Sequence, residues 1–235
     1  MKKHNADLPA QRRDFLGKIA AGIAALSFTS FVSPFKANAE LNPLTDDDLP
    51  EDPDAWFNKI KGKHRIVFDV TEPYEVYPFA WPRVFLKTNA ATGSPSKDCG
   101  VVVVLRHAAI PYAFKDELWT KYKFGEMFKA NDPATKEASV RNPFWKPKKG
   151  DFVVPGLGEV AIGINELQDS GVMFCVCDAA ITVYSAVAAQ GMGMAAADVK
   201  KEWLASLLPK IKVVPSGVWA LGRAQEHGCG YIAVQ

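Results

Sequence analysis

The chain has 235 residues, which is enough for one ordinary domain or two small ones. Apolar residues make up 48% of it and charged residues 23%, proportions that exclude a disordered or a fibrous protein. The formal charge of +2 is a weak indication of anionic partners, so the location of the excess positive charge matters.

The first 39 residues have the pattern of an export signal. Arg12 and Arg13 precede an apolar stretch over residues 19–32, and an Ala-x-Ala sequence follows at residues 37–39. This order is typical of a secretory signal peptide, and the paired arginines before Phe-Leu resemble a twin-arginine signal. The alternative is an uncleaved membrane anchor, but an apolar core of about 14 residues is shorter than the ~20 that a spanning helix needs. We therefore predict a periplasmic protein with no membrane span once the signal is removed.

The positive charge belongs to this signal. Residues 1–39 carry six basic and two acidic side chains, so their removal leaves 22 basic and 24 acidic residues and a net charge of −2. That balance, without a basic stripe interleaved with aromatic residues, does not favour nucleic acid as a partner. Residues 40–55 contain prolines and clustered Asp and Glu residues, which predict a flexible acidic arm.

The remaining chain alternates between strand and helix patterns. Strands are predicted at residues 64–70, 100–107, 172–177, 211–214 and 231–234, and helices at 79–91, 116–129, 162–170, 178–190, 196–208 and 218–227. Four consecutive valines in the second strand indicate burial on both faces, as in the middle of a parallel sheet. Residues 131–157 contain four prolines and predict a long inserted loop with a functional or assembly role.

This alternation predicts an α/β fold. Right-handed crossovers between the strands would give one parallel sheet covered by helices on both faces. We expect a single domain over residues 56–235, a three-layer flavodoxin-like sandwich. Its five-stranded, mainly parallel sheet is predicted to have the order 2-1-3-4-5, with the strands numbered along the chain.

Ligands of such sheets bind beyond the carboxyl ends of the strands. The candidates there are Thr71 and Glu72 after the first strand, Arg106 and His107 after the second, Cys177 and Asp178 at the end of the third, and Ser216 and Gly217 after the fourth. Cys177 is the most informative, because it ends a strand and precedes a helix whose N-terminus would stabilise a thiolate. The alternative is a packed, structural Cys177 beside a helix that Asp178 caps.

Cys177, His107 and Glu72 could converge at one rim of the sheet, as a thiolate with a general base or as a single metal site. Metal signals are weak, because the sequence has no Cys-x-x-Cys and no His-x-x-x-His pattern, so we predict no metal and no cofactor.

The four cysteines are predicted to form no intramolecular disulfide, although the exported compartment is oxidising. A bridge between Cys175 and Cys177 would be strained within an extended strand, and Cys175 is expected to be a buried small hydrophobe. Cys99 and Cys229 each precede a strand, and in the order 2-1-3-4-5 those two strands are opposite edges of the sheet.

Two C-terminal segments resemble the DsrE/DsrF-like family. The first is Leu-Gln-Asp-Ser-Gly-Val at residues 167–172 with the following strand to Cys177; the second is Val-Val-Pro-Ser-Gly-Val-Trp-Ala-Leu at 213–221, then Gln-Glu-His-Gly at 225–228 and Tyr-Ile at 231–232. The resemblance implies a flavodoxin-like fold, assembly into trimers or hexamers, and relay of sulfur as a cysteine persulfide. Cys177 is the residue that best matches the family's sulfur-carrying cysteine.

The resulting hypothesis is an exported DsrE-like protein that carries or transfers sulfane sulfur. Cys177 and His107 are its candidate catalytic residues, and the candidate ligand-binding residues are Glu72, Asp178, Ser216 and Gly217. The expected partners are a sulfur donor or acceptor protein, or a small ligand. The alternative is a non-catalytic module of the same fold that binds a small ligand or supports assembly.

Overall fold

The computed structural model describes residues 54–156 and 158–234. The export signal, and the acidic arm up to residue 53, lie outside the described residues. Among the described residues, the first regular element is the 3-10 helix Phe57–Lys59, whose Phe57 side chain is buried. Within the described ranges, no helix combines the length and the apolar character needed to cross a membrane.

The described residues contain a five-stranded parallel sheet and a short hairpin. The parallel strands are β1 His64–Val70, β2 Cys99–Leu105, β5 Met173–Cys177, β6 Ile211–Val214 and β7 Gly230–Val234, and the antiparallel pair is β3 Val153–Val154 with β4 Gly158–Glu159. The helices are α1 Tyr77–Ala91, α2 Asp116–Lys121, α3 Phe124–Met127, α4 Ile164–Asp169, α5 Asp178–Met192, α6 Ala196–Ala205 and α7 Gly217–Glu226. The predicted α/β, three-layer, flavodoxin-like class is confirmed.

The predicted strand order is wrong. The sheet runs β6-β5-β2-β1-β7, which is 4-3-2-1-5 in the numbering of the prediction. The second strand takes the centre because every one of its seven residues is buried, as its run of valines requires. The last strand takes the edge beside β1, where four of its five residues are exposed.

Two apolar clusters lie on opposite faces of the sheet. One face is covered by α1, α4, α5 and α6, and the other by α7 and the segment around Phe57. Side chains alternate along a strand, so Asp69 follows Val67 onto the α7 face and Cys177 follows Cys175 onto it. Both residues are therefore close to the carboxyl edge of the sheet on the same face.

Two predicted helices have different bounds. Helix α1 begins at Tyr77, so Pro82 lies inside it rather than in its first turn, where Pro78 lies instead. The predicted helix at 116–129 is two short helices, because Lys123 has a left-handed backbone with φ of 50° between them. Its aromatic side chains nevertheless pack in the core, with Trp119 and Phe124 fully buried.

The predicted inserted loop contributes to the core as far as it is described, over residues 131–156. Phe144 is fully buried and its ring stacks on Phe152. The buried Asn142 side chain donates hydrogen bonds to the carbonyl oxygens of Tyr112 and Phe114 at 2.9 and 3.0 Å. The segment thus packs as part of the domain core, and its functional or assembly role stays a prediction.

The four cysteines are free. The reason differs from the predicted one for Cys99 and Cys229, because β2 and β7 are separated by β1 alone and are not opposite edges. Their side chains belong to the clusters on opposite faces of the sheet, which keeps the two thiols apart.

Candidate functional site

Cys177 lies where β5 gives way to α5. Its Sγ accepts a hydrogen bond from the backbone N–H of Ala180 at 3.3 Å and caps the helix, so the predicted place of the sulfur at the helix N-terminus is confirmed. The residue is 7% exposed. The suggestion that Asp178 caps this helix is wrong, because its carboxylate pairs with the Lys200 ammonium of α6 at 2.8 Å.

Burial raises the pKa of the thiols of Cys99, Cys175 and Cys229. Removal from water raises the pKa of Cys175, which is fully buried, and nearby Cys177 raises it further. Burial also raises the pKa of Cys99, with a contribution from Asp98, and that of Cys229, which Arg65 partly opposes. Cys175 is therefore the small buried hydrophobe that the sequence predicts.

An ion pair lies on the same edge and face as Cys177. Arg106, directly after β2, donates from Nε and Nη2 to the two carboxylate oxygens of Asp69 at 2.6 and 2.9 Å. Tyr231 of β7 donates its hydroxyl to the same carboxylate at 2.8 Å. Asp69 is 1% exposed, so its charge is compensated by these three hydrogen bonds rather than by water.

The Asp69 carboxylate raises the pKa of both side chains that donate to it, Arg106 and Tyr231. The hydrogen bond to Asp69 is the main reason that the pKa of Arg106 is raised, and Cys177 is close enough to add to this effect electrostatically. The same carboxylate raises the pKa of Tyr231, first through its hydrogen bond. Arg106 thus stays charged, and it directly follows Leu105, which pairs with Val176, the residue before Cys177, in the adjacent strand.

Ser216 and Gly217 complete this edge. The Ser216 hydroxyl accepts the N–H of Trp219 at 3.1 Å and caps α7, which is a structural role. Gly217 lies against Arg106: a Cβ at this position would come within 2.5 Å of the arginine Cβ. The absence of a side chain therefore leaves the space through which Arg106 reaches Asp69.

His107 and Glu72 do not join this group. The His107 ring turns to α5, where its Nε2 is 3.3 Å from the Tyr184 hydroxyl, and the backbone of His107 is left-handed with φ of 49°. Glu72 is exposed and follows β1, which β2 separates from the strand of Cys177. Among the described residues, no group of three or more His, Cys, Asp and Glu is arranged to hold a metal ion, so the hypothetical site of Cys177, His107 and Glu72 does not form.

The arrangement suits chemistry on anionic sulfur. A helix N-terminus and a guanidinium both favour negative charge on a nearby atom; the Cys177 sulfur lies at the first, and Arg106 ends the adjacent strand on the same edge. Sequence reasoning placed Cys177 and noted Arg106, but missed Asp69 and Tyr231. The available signal was a single carboxylate within the apolar β1, since a buried charge requires a partner.

Fold and site together define an α/β protein of flavodoxin-like class with a cysteine at a strand-to-helix junction. No protein-family model matches the chain, and no curated protein matches it. Among solved structures it is similar to MTH1491, a protein of unknown function from Methanobacterium thermoautotrophicum. The two are 19% identical with a TM-score of 0.38, over 73% of this chain and 100% of the other.

Proposed function

We propose that the protein carries sulfane sulfur as a persulfide on Cys177, as its resemblance to the DsrE/DsrF-like family implies. The observation that carries this proposal is the position of the Cys177 sulfur at the N-terminus of α5, where it accepts the N–H of Ala180, with Arg106 at the end of the adjacent strand. A helix N-terminus and a guanidinium both stabilise the negative charge of a persulfide anion.

The reaction is a displacement at sulfur. The Cys177 thiolate attacks the outer sulfur of a persulfide donor, a bond forms between the two sulfurs, and the donor's own sulfur–sulfur bond breaks. The electron pair of the broken bond leaves with the donor as its thiolate, so no external oxidant or reductant is needed. A second thiolate removes the sulfur by the same step, which makes the expected partners a sulfur donor and an acceptor.

Arg106 takes the place that sequence reasoning gave to His107. The His107 ring contacts Tyr184, which packs against the cluster on the face opposite to α7. Displacement by a thiolate requires no general base, whereas it benefits from a cation that stabilises the anionic sulfur.

We further propose that the protein works in the periplasm after twin-arginine export, and that it forms a homo-oligomer, a trimer or hexamer. The sequence pattern of residues 1–39 supports the first point. Val183 and Val187, which expose 60% and 54% of their surface on α5, support the second. Replacement of Arg12 and Arg13 by lysine should abolish export, and light scattering measures the oligomer.

A non-catalytic ligand-binding or assembly module is the competing function. The observation that favours it is the low exposure of Cys177, whose sulfur already serves as the cap of α5. A purely structural Cys177 would remain unmodified in the folded protein.

The test is the intact mass of the full chain after exposure to polysulfide under native conditions. We expect a gain of one sulfur atom that a reductant removes. Cys177→Ser, which keeps an oxygen to cap α5, should lose the gain. Cys229→Ser is the matched control, because Cys229 is 6% exposed and thus as buried as Cys177. An unchanged mass in the folded wild type would favour the competing function, whereas a gain that persists in Cys177→Ser would place the sulfur on another cysteine and refute the proposal.

A further inference from the structure

We propose that Arg106 binds the negatively charged group of the sulfur donor beside Cys177, so that the site selects donors bearing an oxyanion, such as a thiosulfonate, over neutral ones. This inference rests on the proposed function and adds the class of substrate to it. It starts from the ion pair between Arg106 and Asp69, from the space that Gly217 leaves for it, and from the register of the sheet, in which Leu105 and Val176, the residues before Arg106 and Cys177, are paired.

The first step is the position of the Asp69 carboxylate. It is 1% exposed, in a strand whose neighbouring residues Phe68 and Val70 are packed in the core. An apolar side chain would fit such a place at no cost in desolvation, and a buried ion pair is weak evidence for stability. The three hydrogen bonds to Asp69 therefore indicate that its role is to orient Arg106.

The second step is the part of Arg106 that remains available. Nε and Nη2 bind Asp69, whereas Nη1 makes no hydrogen bond to another described residue. The side chain is 27% exposed, so a solute can reach it. Held by Asp69 and bounded by Gly217, the guanidinium has a set orientation with two N–H groups left for an oxyanion.

The third step is the electrostatic balance. Asp69 offsets the charge of Arg106, so the pair does not attract anions over a long range. Its selectivity acts at short range, by hydrogen bonds from Nη1 to a ligand that is already at the edge. The recognised group must then be carried by the donor itself, close to the sulfur that Cys177 attacks.

Thiosulfate illustrates the chemistry. The Cys177 thiolate attacks the outer sulfur of thiosulfate and forms a bond with it, while the bond from that sulfur to the sulfonate sulfur breaks. The electron pair leaves with sulfite, and the cysteine becomes a persulfide anion. No redox partner enters, and the total charge is the same on both sides. Arg106 Nη1 binds the sulfonate oxygens and stabilises the departing sulfite.

The test compares iodoacetate with iodoacetamide, two reagents that alkylate the same Cys177 thiolate and differ in charge. The ratio of their rates at Cys177, followed by peptide mass spectrometry of the folded full chain, is independent of how much thiolate is present. We expect Arg106→Gln to lower the iodoacetate-to-iodoacetamide ratio about tenfold. Arg223→Gln, which removes an arginine of another ion pair, should keep the wild-type ratio.

Gly217→Ala is the second variant, because it displaces Arg106 without removing its charge, and it should lower the ratio as well. If circular dichroism shows that Arg106→Gln is not folded, the comparison of the two reagents is made with Gly217→Ala alone. In both variants, the rate of sulfur transfer from thiosulfate to Cys177 should fall together with the iodoacetate-to-iodoacetamide ratio. A wild-type ratio in folded Arg106→Gln or Gly217→Ala would overturn the inference while leaving the proposed function intact. A Cys177 that reacts with neither reagent nor polysulfide would overturn both.

Discussion

The ion pair between Arg106 and Asp69 predicts an asymmetric effect on stability. Arg106→Leu leaves the carboxylate of Asp69 at 1% exposure with only the Tyr231 hydroxyl to compensate it. Asp69→Asn leaves a guanidinium that is 27% exposed and that water can solvate. Arg106→Leu should therefore lower the free energy of unfolding more than Asp69→Asn, because a buried charge without its partner is strongly destabilising.

The magnitudes follow from burial. Removing one partner of a buried pair costs about 3–5 kcal/mol, and Arg106→Leu should lie near the lower end, about 3 kcal/mol, because one hydrogen bond to Asp69 remains. Asp69→Asn loses charge-assisted hydrogen bonds to Arg106, which is 27% exposed, and should cost about 1–2 kcal/mol. For a domain of this size these costs lower Tm by about 6–12 °C and about 2–8 °C respectively.

Urea unfolding followed by tryptophan fluorescence measures both free energies, since the fully buried Trp119 and Trp203 report on the core. Lys121→Leu is the control: it breaks an exposed pair with Glu202 and should change stability little. If Asp69→Asn costs as much as Arg106→Leu or more, Asp69 is not the buried anchor of the site and the account of Arg106 fails.

Two further predictions concern the neighbours of Arg106. Gly217→Ala should cost about 1–3 kcal/mol, because its Cβ would lie 2.5 Å from that of Arg106. Gly222→Ala in the same helix, with nothing within 4 Å, should stabilise by about 0.5–1 kcal/mol; equal effects of the two substitutions in urea unfolding would contradict the close contact. The hydrogen bond to Asp69 raises the pKa of Tyr231 in the folded protein. The resulting stability is fully present below about pH 10, the usual tyrosine pKa, and is lost as the pH rises through the higher pKa of the folded state. Tyr231→Phe should therefore weaken the fall of the urea midpoint as the pH rises above about 10, and an unchanged pH dependence would show that the phenol does not donate to Asp69.

Local patterns predicted the elements and the place of Cys177 well. The valine run of β2 identified the most buried strand, and the change from strand to helix after Cys177 placed its sulfur at a helix N-terminus. Both conclusions depend on neighbours in the sequence. The split of the predicted helix at Lys123 was missed because core packing of aromatic residues overrides the local periodicity there.

The strand order and the ion pair depend on contacts between distant residues. Asp69 meets Arg106 across 37 positions and Tyr231 across 162. The second contact exists only because β7 lies beside β1, which the predicted order does not allow. His107 was assigned to the site from its position after β2, but its left-handed backbone and the contact with Tyr184 turn its ring towards α5.

The central claim, that Cys177 is the sulfur-carrying residue, is tested most directly by peptide mass spectrometry of the native protein after brief exposure to polysulfide. The account predicts an added sulfur on the peptide that contains Cys177, present before any on those of Cys99 and Cys229, whose thiols have a pKa raised by burial. Sulfur found first on either of those cysteines, or on none while the protein stays folded, would contradict it.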